Sequence, residues 1–111
     1  MSEALLAEHV ERFNHGIRSG DWEPMLALFT DDAELVFEGV PAGPFVGREA
    51  IADAYRRQPP DDEVRVLGAP RNEDGTIVVD YAWAADERAR AGRMLLTPRD
   101  GAIARLVVTF E

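Results

Sequence analysis

The chain is predicted to be an α+β domain in which helices come first and a mainly antiparallel sheet follows. Three observations carry that reading. Leu6, Val10, Phe13 and Ile17 recur at helical spacing near the start and mark one buried stripe. Beyond Pro59-Pro60 the apolar residues fall into four strand-length runs. Two of the connections between those runs are Asp74-Gly75 and Asp100-Gly101, pairs that tolerate the positive φ of a tight hairpin.

The elements follow in order. Ser2 is placed to cap the first helix, with Glu3 favourable near its positive end. Gly20 ends that helix, Asp21 caps a second, and Pro24 sits where a missing N–H costs little. Met25, Leu26, Leu28 and Phe29 give the second helix its apolar side, and Thr30-Asp31-Asp32 is expected to end it. Residues 33–38 alternate, with Leu35 and Phe37 on one face of a strand and Glu34, Val36 and Glu38 on the other. A loop rich in Pro and Gly leads to a third helix over residues 47–57, with Ile51, Ala54 and Tyr55 inward. The remaining strands are expected at 64–67, 76–84, 93–97 and 103–110. A two-residue turn at Asp100-Gly101 pairs Arg99 with Ala102, and counting back pairs Thr97 with Ala104, Leu95 with Leu106 and Arg93 with Val108. These residues and Phe110 then share one face. Met94, Leu96 and Val107, with Val78, Ala82 and Ala84 on the neighbouring strand, share the other, which is expected to pack against a second copy of the chain as a homodimer.

Composition narrows the function. At 111 residues the chain is one domain, and 46% hydrophobic residues are enough to close a core. A net charge of −9 repels phosphate backbones and anionic membranes, so neither nucleic acid nor a membrane is an expected partner. The absence of cysteine excludes disulfides, thiolate catalysis and cysteine-ligated zinc, and fits the reducing cytoplasm. The N-terminus has neither the basic region nor the apolar run of a signal peptide. His9 and His15, six residues apart, share no helix face, and no metal-ligand spacing is present, so no metal or cofactor is expected.

Taken together, Phe13, Gly20-Asp21, Leu28-Phe29, Asp31-Asp32-Ala33, Gly47 with Ala50-Ile51, Tyr55, the strand from Ile77 to Trp83 and the last strand ending in Phe110 resemble the nuclear transport factor 2-like superfamily, in its SnoaL-like and ketosteroid-isomerase-like branch. The resemblance covers nearly the whole chain. It implies a cone-shaped fold, three N-terminal helices packed on a curved, mainly antiparallel sheet, closing an apolar cavity for a small apolar molecule. It further implies that Phe13, Ile17, Phe29, Leu35, Phe37, Tyr55, Val79, Tyr81, Trp83, Leu95, Leu106 and Phe110 line or floor that cavity.

Ketosteroid isomerase needs a carboxylate base with a tyrosine and a neutral aspartic acid as oxyanion donors. By order of motifs, the resemblance places the donor tyrosine at Phe13, the base at Phe37 and the second donor near Arg93, with a supporting tyrosine retained at Tyr55. A steroid isomerase of that kind is therefore not expected. Glu38, at the end of its strand, is the carboxylate nominated as a base, to act if burial raises its pKa. Arg93 is placed to hold an enolate or carboxylate, unless a surface acid takes it, and Tyr81 to donate to a carbonyl, unless the backbone takes it. Three readings stay open: a cofactor-free acid–base isomerase, cyclase or dehydratase acting on a small carbonyl compound, a non-catalytic binder of such a compound, and a dimerisation module with a filled core.

Overall fold

The computed structural model describes residues 2–111, apart from the side chain of Ser2, so the cap expected there lies outside what is described. Three helices pack on one six-stranded sheet. In chain order the elements are α1 (Ser2–Ser19), α2 (Glu23–Leu26), β1 (Phe29–Glu38), β2 (Phe45–Val46), α3 (Arg48–Arg57), β3 (Val64–Glu73), β4 (Thr76–Trp83), β5 (Gly92–Arg99) and β6 (Ala102–Thr109). The sheet runs β2-β1-β6-β5-β4-β3, and every neighbouring pair is antiparallel except β1 with β6.

Helix α1 buries the stripe its spacing dictates: Leu6, Val10 and Phe13 face the core, and His9 joins them one turn before Phe13. Gly16 continues the stripe for a steric reason, because a Cβ there would collide with the Trp22 indole. Trp22 packs in that notch against Phe13 and Tyr55, with ring centroids 5.7 and 4.9 Å away. The Asp21 carboxylate accepts a hydrogen bond from the Glu23 N–H at 3.1 Å, but from one residue outside the cap expected of it: Trp22 is the N-cap residue and makes no side-chain capping bond. Asn14 ties α1 to the sheet edge: its side-chain amide donates to the Val64 carbonyl at 3.0 Å and accepts from the Val64 N–H at 2.8 Å.

The second helix is shorter than expected and β1 longer. Helix α2 stops at Leu26, and Phe29, assigned to its apolar side, is instead the first residue of β1 and pairs with Ile103. The Leu28 carbonyl accepts from the Ile103 N–H at 2.8 Å. Pairing with a strand more than seventy residues away in the chain overrides a local helical pattern that gained little over four residues. Strand β2 was not foreseen, because two residues in a loop of prolines and glycines carry no period. It pairs Phe45 with Leu35 and Val46 with Glu34.

Both Asp-Gly pairs form the turns their chemistry favours. Asp74 and Gly75 have φ of 55° and 89°, Asp100 and Gly101 of 53° and 79°. Beyond the second turn the register departs from the simple count. Thr97 pairs with Arg105 and Pro98 with Ile103, leaving Ala104 as an extra residue. Proline has no N–H to give the ladder, so the regular pattern breaks at Pro98 and a bulge absorbs the difference. From there Leu96 pairs with Leu106, Leu95 with Val107 and Met94 with Val108.

That single residue exchanges the faces of β5. Met94 and Leu96 face the helices, alongside Ile77, Val79 and Tyr81 of β4 and Leu106 of β6. Arg93 and Leu95 stand on the outer face with Val78, Asp80, Arg105 and Val107. The wet apolar patch expected from Met94 and Leu96 is therefore absent: both are core residues, and Val78, Ala82 and Val107 are already buried within one chain.

Candidate functional site

A recess of about 300 Å³ opens between α1, α3 and the inner face of the sheet. This is at the lower end of the roughly 300–1,000 Å³ of small-molecule sites. Each element supplies what its exposed period allows. Helix α1 contributes His9 and Phe13, α3 contributes Ala54 and Tyr55, and the segment after α3 contributes Gln58, Pro60 and Asp61. The sheet contributes Phe37, Val64, Tyr81, Trp83, Met94, Leu106 and Val108, and Phe110 closes the wall just past β6. The rings run as a chain: Tyr81 against Trp83 at 5.6 Å, Trp83 stacked on Phe110 at 6.3 Å, and Phe110 against Phe37 at 5.8 Å.

Of the residues nominated from sequence, Phe13, Phe37, Tyr55, Tyr81, Trp83, Leu106 and Phe110 line this recess. Phe29, Leu35 and Val79 sit behind the lining as fully buried core, and Ile17 packs against that core half-buried. Arg93 and Leu95 are on the opposite face of the sheet, as the bulge requires. Arg93 has the surface acid that was its competing partner: its Nε lies 3.7 Å from Asp80 Oδ1. Glu38 is exposed and borders the same outer surface as Arg93, so the strand alternation that set it opposite Phe37 prevails. The inward positions to which the resemblance assigned catalytic groups are thus Phe13, Phe37 and, in place of Arg93, Met94.

Four lining side chains can titrate: His9, Tyr55, Asp61 and Tyr81. Tyr81 is committed, since its hydroxyl donates to the Thr109 carbonyl at 2.8 Å. Burial, and secondarily the Glu111 carboxylate, push its pKa up to about 12. Tyr55 is buried and its pKa is raised by desolvation, yet among the described residues its hydroxyl has no hydrogen-bond partner. Asp61 is exposed at the rim.

His9, whose place one turn before Phe13 puts it at the pocket edge by helical spacing, was not nominated as a site residue but lines the recess. It is 2% exposed, and burial pulls its pKa down to about 4, so the ring is neutral at pH 7. Its Nδ1 is sealed from solvent with no hydrogen-bond partner. Its neighbours are rings, Phe29 edge-on at 5.7 Å and Phe13 at 6.5 Å. Among the described residues no group of three or more His, Cys, Asp or Glu side chains is placed to hold a metal ion.

The arrangement can desolvate a small apolar molecule and offer it a phenol hydroxyl and a neutral imidazole. Among the described residues no buried carboxylate lines the recess. Among the described residues no helix is long and apolar enough to cross a membrane.

Comparison with solved structures places this fold among known ones. An NTF2-like protein from Cytophaga hutchinsonii is 14% identical, with 100% of this chain and 90% of that one covered and a TM-score of 0.70. A protein from Sphaerobacter thermophilus is 23% identical over 96% of this chain and 93% of that one, with a TM-score of 0.70. A Kribbella flavida protein provisionally named a ketosteroid isomerase is 19% identical over 98% and 76%, again with a TM-score of 0.70. At such identities the likeness is one of fold. No curated protein sequence matches the chain. The family model for the SnoaL-like domain, however, matches residues 10–106, nearly the whole length, and the chain belongs to that family.

Proposed function

We propose that the recess is a conical pocket holding a small, mostly apolar molecule with one carbonyl group, and that holding it is the function of this chain. The observation that carries the reading is the character of the lining. Six aromatic rings and several aliphatic side chains surround a space of about 300 Å³, with the polar capacity of His9 and Tyr55 unspent. Acid–base turnover in the manner of an isomerase, cyclase or dehydratase is the lesser reading, because Glu38, its nominated base, is exposed on the other side of the sheet. The lack of cysteine suits such a domain to a reducing cytoplasm.

The test is tryptophan fluorescence titrated with cyclic and aromatic ketones. Trp83 lines the recess, whereas Trp22 is packed behind Tyr55. A saturable quench that disappears in Trp83→Phe supports the pocket. No quench by any ketone removes it and leaves a filled-core module.

The homodimer remains a proposal, now through a differently composed face. Leu95 is its half-buried apolar residue, backed by Val78 and Val107, which are already buried within one chain, with Arg93, Asp80, Arg105 and Glu34 around it. Charges of both signs at the rim suit a two-fold pairing of identical surfaces. Light scattering at micromolar concentration reads the dimer, and Leu95→Asp is expected to convert it to monomer; a monomeric natural protein rejects the pairing.

A further inference from the structure

We propose that His9 is the specificity-determining contact of the recess, donating a hydrogen bond from Nε2 to an uncharged acceptor on the ligand, so that the site takes neutral carbonyl compounds and rejects their carboxylate analogues. The inference rests on the binding reading above and names the ligand class within it.

The argument begins with the orphaned nitrogen. A neutral imidazole has one N–H and one bare nitrogen. Nδ1 is enclosed and bonded to nothing. An unpaired buried N–H is the costlier of the two choices, so the proton resides on Nε2 and Nδ1 keeps only its lone pair. The ring lines the recess and has no hydrogen-bond partner among the described residues, so Nε2–H is the donor left for a ligand. A buried donor without a partner is a standing cost that an acceptor on the ligand removes.

The ligand's charge follows from what surrounds the recess. Among the described residues no lysine or arginine lines it, and the one charged lining residue is Asp61 at the rim, in a chain of net charge −9. A carboxylate would enter past a like charge, lose its water and meet no cation. Nor does His9 supply one at neutral pH, because burial keeps the ring unprotonated and Nδ1 has no acceptor to support a second N–H. A ketone or ester oxygen loses far less on desolvation and satisfies the waiting donor.

The experiment uses three molecules with one carbon skeleton, a cyclic ketone, the parent hydrocarbon and the corresponding carboxylate, each titrated against Trp83 fluorescence at pH 7.5. The natural protein is expected to bind the ketone roughly tenfold more tightly than the hydrocarbon. It should bind the carboxylate at least about a hundredfold more weakly than the ketone. His9→Phe is expected to bind hydrocarbon and ketone alike, and His9→Gln, which keeps a donor, to recover part of the preference. Nitrogen-15 NMR of histidine-labelled natural protein gives a reading independent of any variant's folding: Nε2 carries the proton and shifts when ketone is added. A carboxylate bound as tightly as the ketone, a preference that survives in His9→Phe, or an Nε2 resonance indifferent to ketone overturns the proposal while leaving the pocket. If none of the three molecules quenches Trp83, the pocket itself falls.

Discussion

On the inner face of the sheet, Ile77, Val79 and Tyr81 of β4 stand beside Met94 and Leu96 of β5 and Leu106 of β6, and none of these carries a charge. On the outer face the same three strands present Asp80, Arg93 and Arg105, with Glu34 of β1 2.9 Å from Arg105. The inner face is dry and offers a ligand hydrogen bonds from α1 and α3 rather than from its own strands. The outer face keeps its charges paired and wet, where they contribute little to stability. Charged residues of the kind that usually mark a catalytic site are therefore on the side of this sheet opposite the aromatic recess, where Glu38, Arg93 and Arg105 border a more open groove, and the recess relies on neutral groups.

The sharpest way to break this comparison is to exchange the character of two adjacent residues. Met94→Asp places a carboxylate among core side chains and is expected to cost about 4 kcal/mol or more, read as the loss of a cooperative denaturant transition. Arg93→Ala, one residue away, should change stability by at most about 0.5 kcal/mol and leave ligand affinity untouched. If the two variants are equally stable, the assignment of faces on β5 is wrong.

The next effect is one of pH. His9 has a folded-state pKa of about 4 against an ordinary 6.5, so between those values the unfolded chain binds the proton and the folded one does not. The resulting stability is fully present above about pH 6.5 and is lost as pH falls toward 4, by about 3 kcal/mol in all. His9→Phe should flatten that portion of the stability–pH curve. An unchanged slope in the variant would put the loss elsewhere.

Smaller still is Tyr81→Phe. It removes the hydrogen bond to the Thr109 carbonyl and is expected to cost about 1 kcal/mol by chemical denaturation, with ketone affinity unchanged, because the hydroxyl is already spent on the backbone. Glu38→Gln should alter neither stability nor ligand titration measurably, since the side chain is exposed and away from the recess.

How far the sequence could be read depended on whether a signal was local. The α1 stripe, the α3 helix with Tyr55 inward and both Asp-Gly turns follow from periods and backbone chemistry contained in a few neighbouring residues, and the structure has them. Strand β1 from Phe29 was illegible because its pairing partner, Ile103, lies far along the chain. The site was legible where a face was set by α1, α3 or β4, as at Phe13, Tyr55, Tyr81 and Trp83. It failed at Arg93 and Leu95, where one bulged residue reversed the count. Pro98 was the available clue, since a proline interior to a paired strand has no N–H to give. His9 was legible as a residue at the pocket edge, one turn before Phe13, but not as part of the site, because its significance lies in the partner it lacks.

The amide of Asn14 has a consequence for colloidal behaviour. Strand β3 is the open edge of the sheet, and such an edge is a template on which another chain can add a strand and begin a fibril. At Val64 that template is already occupied, because Asn14 matches both its N–H and its carbonyl as a neighbouring strand would. Further along, the pairing with β4 shifts between Leu67 and Arg71, and Pro70 falls within the break. At the opposite border β2 is two residues long. Neither margin offers the long, flat row of unsatisfied backbone groups that nucleates amyloid, so concentrated solutions of this protein are expected to resist seeding, and Asn14→Val, which uncovers the most apolar stretch of β3, is the change most apt to shorten the lag before thioflavin-positive aggregates form.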